Sequence, residues 1–130
     1  MSTDSGRTFF AVGAVSAGIG VVAGAFGAHG LKDVLSAEML DVFETAVRYQ
    51  MYHAFGLMAV AWAAHNFAST GSPLARLAGM CFVFGTVVFS GSLYAMSLTN
   101  LRWLGALTPL GGIAFIAGWF FLAASVWKKT

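Results

Sequence analysis

The chain has 130 residues, of which 58% are hydrophobic and only 9% carry a charge, and its formal net charge is +2. Soluble domains average about 25% charged residues, and a soluble domain this small keeps much of its surface in water. The composition therefore excludes an ordinary soluble domain and predicts an integral membrane protein. Its seven basic residues are scattered rather than gathered in a phosphate-binding stripe, so no nucleic-acid partner is predicted.

Four apolar stretches are long enough to be membrane spans, since about 20 residues of helix cross the hydrocarbon core. They cover residues 9–28, 49–68, 77–98 and 104–127. The first exceeds the apolar core of a secretory signal peptide, which is about 7–15 residues long. The short, turn-like connections predict that successive spans pack antiparallel. We therefore predict an all-α fold, with one transmembrane domain of four helices over residues 1–130.

Residues 36–48, between the first and second spans, differ from the rest of the chain. Acidic residues are spread through them, and apolar residues such as Met39 and Phe43 recur at helical spacing. This pattern predicts an amphipathic helix that lies at the membrane interface and continues into the second span. Ser36 is expected to cap this helix, with Glu38 in its first turn, where the helix dipole favours an anion.

Basic residues near the span ends predict the orientation of the chain. With four spans, one side of the membrane holds Arg7, Arg76, Lys128 and Lys129, and the other holds Lys32, Arg48 and Arg102. The excess on the first side predicts that both termini lie in the cytoplasm.

Small residues recur at intervals of three or four in two spans, and small residues let helices approach closely in a bilayer. In the first span they are Gly13, Ala17, Gly20, Gly24 and Ala28; in the fourth they are Gly111, Gly112, Ala114 and Gly118. We interpret both sets as packing faces. Only one need be used inside the chain, so a homo-oligomer is expected to form through another.

The second span begins with several polar residues, and ionisable groups at membrane depth are costly enough to suggest function. The spacing of Glu44 and Arg48 predicts a helical ion pair, and Tyr52 continues that face. His53 lies about 7.5 Å deeper than Arg48. Two interpretations stay open: His53 is hydrogen-bonded to a neighbouring span, or it accepts a proton or holds a ligand under the influence of Arg48 and Glu44.

The third and fourth spans contribute further polar residues. Ser90, Ser92 and Tyr94 are typical of a tight helix crossing in which hydroxyl groups bond back to their own helix. Pro109, next to Thr108, lacks a backbone N–H and should free a carbonyl group one turn earlier. Two outcomes stay open there: a simple kink, or a broken helix like those at transporter binding sites.

The predicted topology places most polar residues of the spans in the outer half of the bilayer. The candidate ligand-binding cluster contains His29, Glu44, Arg48, Tyr52, His53, Ser90, Ser92, Tyr94, Thr108 and Pro109. Few polar residues fall in the other half, which argues against a continuous pore through one copy. Neither close metal-ligand spacing nor a nucleophile beside a base is evident, so we predict no metal, no cofactor and no enzymatic activity.

Four segments of the sequence carry a family resemblance. They are GAFGAHGL (24–31), TAVRYQMYHA (45–54), FSGSLY (89–94) and LTPLGG (107–112). Together they resemble the small integral membrane proteins of the DUF423 family, over most of the chain and in the same order. The resemblance implies a bacterial inner-membrane protein with a few spans, and it implies no reaction.

Two functions are therefore expected. The first is an oligomeric accessory or structural protein that binds membrane lipid or a membrane-protein partner. The alternative is a small transporter or channel with a polar site in the outer half of the bilayer.

Overall fold

The computed structural model describes residues 2–67 and 73–127, so Lys128, Lys129 and most of the connection after the second predicted span lie outside the described residues. Within these ranges the elements are helices: α1 (Thr3–His29), α2 (Ala37–Asn66), α3 (Pro73–Gly85), α4 (Gly91–Thr99) and α5 (Thr108–Val126). A π-helical segment, Thr86–Ser90, joins α3 to α4, and a 3-10 helix, Arg102–Ala106, precedes α5. The predicted all-α class is confirmed.

Three segments of the described chain are long and apolar enough to cross a membrane, namely Thr3–His29, Pro73–Thr99 and Arg102–Val126. They coincide with the first, third and fourth predicted spans. α2 is long enough, at 30 residues, but it is more polar because it carries Gln50, His53 and the acidic residues of its first half.

α2 is one continuous helix that covers the predicted amphipathic segment from Ala37 onward and the second predicted span as far as Asn66. The Ser36 hydroxyl accepts a hydrogen bond from the Met39 N–H at 3.2 Å, and Glu38 lies in the first turn. The predicted N-cap is therefore confirmed. The location of the amphipathic segment at a membrane interface stays a prediction.

α1 packs against α2 through a row of glycines. Gly13, Gly20 and Gly27 are the buried residues of α1, and they follow one another at seven-residue intervals. A Cβ atom at Gly13 would lie 2.6 Å from the Ala54 carbonyl oxygen, and one at Gly27 would lie 2.9 Å from the Phe43 ring. The start of α1 thus faces the later part of α2, so the two helices are antiparallel.

α5 packs against α3 and the π-helical segment in the same way. A Cβ atom at Gly111 would lie 2.5 Å from the Phe89 backbone nitrogen, and one at Gly118 would lie 2.7 Å from the Phe82 ring. Both predicted small-residue faces are therefore used inside the chain. The expectation that one of them builds a homo-oligomer loses its basis, and a homo-oligomer stays a prediction that requires another surface.

α2 is the central helix, because it contacts α1 on one side and α3, α4 and α5 on the other. The buried apolar cluster combines Leu57, Val60, Ala78, Phe82 and Phe115, from α2, α3 and α5. The polar residues of α2 are consequently placed where neighbouring helices can bond to them.

The region around Pro109 differs from the prediction. The fourth span does not run unbroken from residue 104: a 3-10 helix ends at Ala106, α5 begins at Thr108, and Pro109 lies in its first turn. The first N–H groups of a helix have no partner within it, so proline costs no hydrogen bond there. The predicted kink inside a continuous helix is therefore wrong. The fourth span is interrupted at Leu107, between the 3-10 helix and α5, so Pro109 itself removes no helical hydrogen bond.

The glycine row predicts opposite effects for two substitutions in α1. Gly13→Ala should lower the free energy of unfolding by about 1–3 kcal/mol, a usual cost of overpacking, because the new methyl group meets the α2 backbone. Gly18→Ala should cause no loss, since nothing lies within 4 Å of a Cβ atom there. Unfolding in mild detergent, followed by circular dichroism, measures both; equal effects would contradict this packing.

Candidate functional site

The predicted site residues separate into an interior set, which bonds the helices together, and an exposed set on α2. Gln50, which the sequence analysis missed, is central to the interior set. It is buried, its Nε2 donates to the Ser16 carbonyl at 2.9 Å, and its Oε1 accepts from the Tyr94 hydroxyl at 2.6 Å. Gln50 thus links α1, α2 and α4. The sequence did contain a signal for this role. Gln50 places a side-chain amide inside an apolar stretch, and a polar group in a membrane needs a partner within the protein.

Ser90, which ends the π-helical segment, and Ser92, which follows it, both bond across helices. Ser90 Oγ donates to the Ala46 carbonyl of α2 at 2.8 Å, and Ser92 Oγ lies 3.0 Å from its Phe89 carbonyl acceptor and 2.7 Å from Thr108 Oγ1. Bonding back to the same helix was therefore correct for Ser92 and wrong for Ser90. Thr86 is different, because within the described residues its buried hydroxyl has no partner.

His53 has both ring nitrogens engaged. Trp119 Nε1 donates to its Nε2 at 3.1 Å, and its Nδ1 lies 2.7 Å from the Tyr49 carbonyl. An indole N–H only donates, so Nε2 is the acceptor and Nδ1 carries the proton. The ring also stacks on Phe115, with centroids 3.4 Å apart. This geometry agrees with a histidine bonded to a neighbouring helix and leaves no ring nitrogen for a ligand.

The predicted ion pair between Glu44 and Arg48 does not form. Within the described residues, the carboxylate–guanidinium pair joins Glu38 to Arg102 instead. Glu44 precedes His53 by nine residues, which places the two side chains about 180° apart around α2. The predicted influence of Glu44 on His53 is therefore wrong.

Glu44, Arg48 and Tyr52 border a depression that we call the α1–α2 groove. Its volume is about 300 Å³, and it is lined by Gly24, Phe43, Glu44, Val47, Arg48, Met51 and Tyr52. The three polar residues are exposed and follow each other at one-turn intervals. In the described part of the chain their side chains form no hydrogen bond or ion pair with protein groups, so their polar atoms are available to a ligand.

The structure does not bring all ten predicted residues together. His29 is exposed in the last turn of α1, and Pro109 is exposed in the first turn of α5. Neither lines the α1–α2 groove. Over residues 2–67 and 73–127, no three metal-ligating side chains gather in one place. The residues that were predicted to form a single cluster are thus divided. Some line the α1–α2 groove, and others form separate hydrogen bonds between helices.

The comparisons with known proteins agree with a membrane protein. A family model described as a protein of unknown function (DUF423) matches residues 23–112. The chain belongs to the DUF423 family. The UPF0382 membrane protein of Staphylococcus saprophyticus is 45% identical, and the alignment covers 94% of this chain and 98% of the relative. The UPF0382 membrane protein YwdK of Bacillus subtilis is 44% identical with the same coverage. No solved structure matches.

In this DUF423 chain, one ion pair connects elements that are far apart in sequence. Both terminal nitrogens of the Arg102 guanidinium, Nη1 and Nη2, donate to the Glu38 carboxylate, at 2.7 and 2.9 Å. The pair joins the first turn of α2 to the connection between α4 and α5. The Arg102 guanidinium, by hydrogen bonding and by its charge, lowers the pKa of Glu38 below its ordinary value of 4.5.

This ion pair predicts a pH-dependent stability. Because the folded state lowers the pKa of Glu38, the pair stabilises the fold above pH 4.5, and the contribution is lost as the pH falls through the lowered pKa. The melting temperature of the wild type should exceed that of Glu38→Gln near pH 7 and approach it near pH 3. Salt should shrink the difference, since the pair is exposed. The stabilising role of the Glu38–Arg102 pair would be refuted if the difference in melting temperature did not change with pH. It would also be refuted if Asp41→Asn lowered the melting temperature by the same amount.

The interior network predicts an energetic coupling between α2 and α4. Tyr94→Phe should cost about 0.5–1.5 kcal/mol of unfolding free energy, as for other internal hydrogen bonds. In the Gln50→Leu background the same substitution should cost less, by about 0.6 kcal/mol, a typical interhelical coupling in membranes. A double-mutant cycle of unfolding in detergent measures this coupling, and strict additivity would rule it out.

Proposed function

We propose that this protein is a non-enzymatic accessory protein of the bacterial inner membrane that crosses the bilayer four times and binds a membrane lipid in the α1–α2 groove. The observation that carries the proposal is the groove itself. It combines a cation and an anion that have no partners within the described residues with an apolar floor, at one end of the helix bundle.

α2 provides the fourth crossing in this proposal. Its length corresponds to about 45 Å, against a hydrocarbon core of about 30 Å. Phe43, early in α2, packs near Gly27 at the end of α1, whereas Ala54 packs near Gly13 at its start. α2 therefore runs alongside a helix that is itself apolar enough to cross the membrane. Both termini then lie on one side, and Arg7 and Arg76 favour the cytoplasm.

Arg48 supplies the headgroup contact. A guanidinium presents a fork of N–H donors that matches phosphate geometry, so it binds phosphate through two hydrogen bonds. Helical side chains lean toward the helix N-terminus, which directs Arg48 toward the same end of the bundle as exposed Trp103. Tryptophan is enriched at membrane interfaces, where lipid phosphates lie.

The floor of the groove suits an acyl chain. Val47 and Met51 line it from α2, and Gly24 lines it from α1. A Cβ atom at Gly24 would lie 3.4 Å from Val47 Cγ1. This glycine therefore leaves space beside Val47 that any larger side chain would fill.

Transport is less well supported than lipid binding. Gln50, His53, Ser90 and Tyr94 are bonded to neighbouring helices, so a solute would have to break bonds on which the packing depends. A transporter binding site instead keeps polar groups available near the bilayer midplane.

The proposal is tested by lipid retention. Arg48→Gln should lower the phospholipid that copurifies with the folded protein by about tenfold or more, because a charge-assisted hydrogen bond contributes on that order. Gly24→Leu should lower it as well by filling the groove. Native mass spectrometry in mild detergent counts the bound lipids.

Two control variants leave the groove intact. Arg76→Gln removes the same charge from an exposed position outside the groove, and Gly18→Leu adds the same bulk where nothing lies within 4 Å of a Cβ atom. Both should retain lipid as the wild type does. Equal retention by Arg48→Gln and Arg76→Gln would reject the groove as the lipid site.

A further inference from the structure

We propose that the α1–α2 groove is selective for phospholipids whose headgroup carries an ammonium group beyond the phosphate, with phosphatidylethanolamine as the preferred ligand. This inference rests on the proposed function and adds a role for Glu44. Arg48 alone would bind the phosphate of any phospholipid. Glu44 allows the groove to distinguish one headgroup from another by charge.

Glu44 and Arg48 are the first part of the argument. They lie one turn apart on α2 with the acid nearer the N-terminus, the order that favours a helical ion pair. Among the described residues, however, the carboxylate–guanidinium pair within 4 Å is that of Glu38 and Arg102. The groove therefore presents an anion and a cation side by side but separate. A zwitterionic headgroup complements both charges, whereas an isolated phosphate would be repelled by the nearby carboxylate.

The order of the polar residues along α2 is the second part. Glu44 lies about 6 Å nearer the N-terminal end of α2 than Arg48, and Tyr52 lies about 6 Å on the other side. That end of α2 is where α1 finishes and where Trp103 is exposed, so we assign it to the membrane interface. From the interface inward, the groove thus offers a carboxylate, a guanidinium and a phenol.

A phospholipid with an ethanolamine headgroup has the matching order. Its ammonium group lies outermost, its phosphate follows, and its glycerol ester groups lie deepest. The ammonium can donate to Glu44, the phosphate can accept from Arg48, and an ester carbonyl can accept from the Tyr52 hydroxyl. No other direction of insertion satisfies these groups while it keeps the acyl chains in the hydrocarbon core.

Two related headgroups should bind less well, for different reasons. Phosphatidylglycerol carries no cation, so it offers the Glu44 carboxylate only a neutral hydroxyl donor, and its net negative charge is repelled by that carboxylate. Phosphatidylcholine keeps the cation, but its trimethylammonium group has no N–H to donate. The expected order of retention is therefore phosphatidylethanolamine first, phosphatidylcholine second and phosphatidylglycerol last.

A competition experiment tests this order. The purified full chain, delipidated in mild detergent, is mixed with equimolar phosphatidylethanolamine, phosphatidylcholine and phosphatidylglycerol that share the same acyl chains. Native mass spectrometry then counts each bound lipid. We expect phosphatidylethanolamine to exceed phosphatidylglycerol by about tenfold, the factor that one charge-assisted hydrogen bond supplies.

Substitutions distinguish this inference from the proposed function. Glu44→Gln should reduce the preference for phosphatidylethanolamine over phosphatidylglycerol to within about twofold, because the carboxylate no longer discriminates by charge. Asp41→Asn removes the same charge outside the groove and should keep the preference. Circular dichroism melting verifies that each variant is folded.

Four results would be decisive. If the wild type shows no preference, or if Glu44→Gln keeps it while Arg48→Gln loses lipid, the headgroup inference fails and the lipid site stands. If Arg48→Gln retains every lipid as the wild type does, the proposed function fails and the inference fails with it. Loss of the preference in Asp41→Asn would show that charge near the interface, rather than the groove, sets it.

Discussion

The close approach of α1 to α2 is the contact on which the rest of the structure depends. Lipid tails are as apolar as the helices, so helices in a bilayer gain little from burying apolar surface and rely on close packing instead. The three buried glycines of α1 provide it, because they face α2 without a side chain. This approach also brings the Ser16 carbonyl within reach of Gln50, so backbone packing and polar bonding fix the same register.

Two of the interhelical hydrogen bonds use backbone carbonyls as acceptors. Gln50 bonds to α1 through Ser16, and Ser90 bonds to α2 through Ala46. A helix carbonyl is already an acceptor within its own helix, and its second lone pair is available to a neighbouring donor. Gln50 and Ser90 therefore hold helices together, whereas the exposed polar groups of Glu44, Arg48 and Tyr52 take no part in such bonds within the described residues.

The sequence alone predicted the features that local rules control. Helix spans, the Ser36 cap and most of the glycine faces follow from composition and spacing. The prediction of an ion pair between Glu44 and Arg48 was wrong because such a pair on a helix contributes only about 0.2–0.5 kcal/mol. That free energy is too small to fix the position of the Arg48 side chain. The bonding of Ser90 depends on a carbonyl of α2, which is remote in sequence. Pro109 was predicted to lie inside a continuous helix because the hydrophobic pattern continues across the boundary between the 3-10 helix and α5.

The polarity of α2 has a consequence for biogenesis. A helix that carries Gln50 and His53 enters a bilayer less readily than its neighbours when it is alone. Its first partner, the Ser16 carbonyl, belongs to the helix synthesised just before it, whereas Tyr94 and Trp119 are synthesised later. In the proposed four-span topology, chain order favours insertion of α1 and α2 as a hairpin at the translocon. The second half of the protein then packs against an α2 whose Gln50 is already bonded to α1. Weakening the glycine contact would then impair insertion itself as well as the stability of the finished bundle.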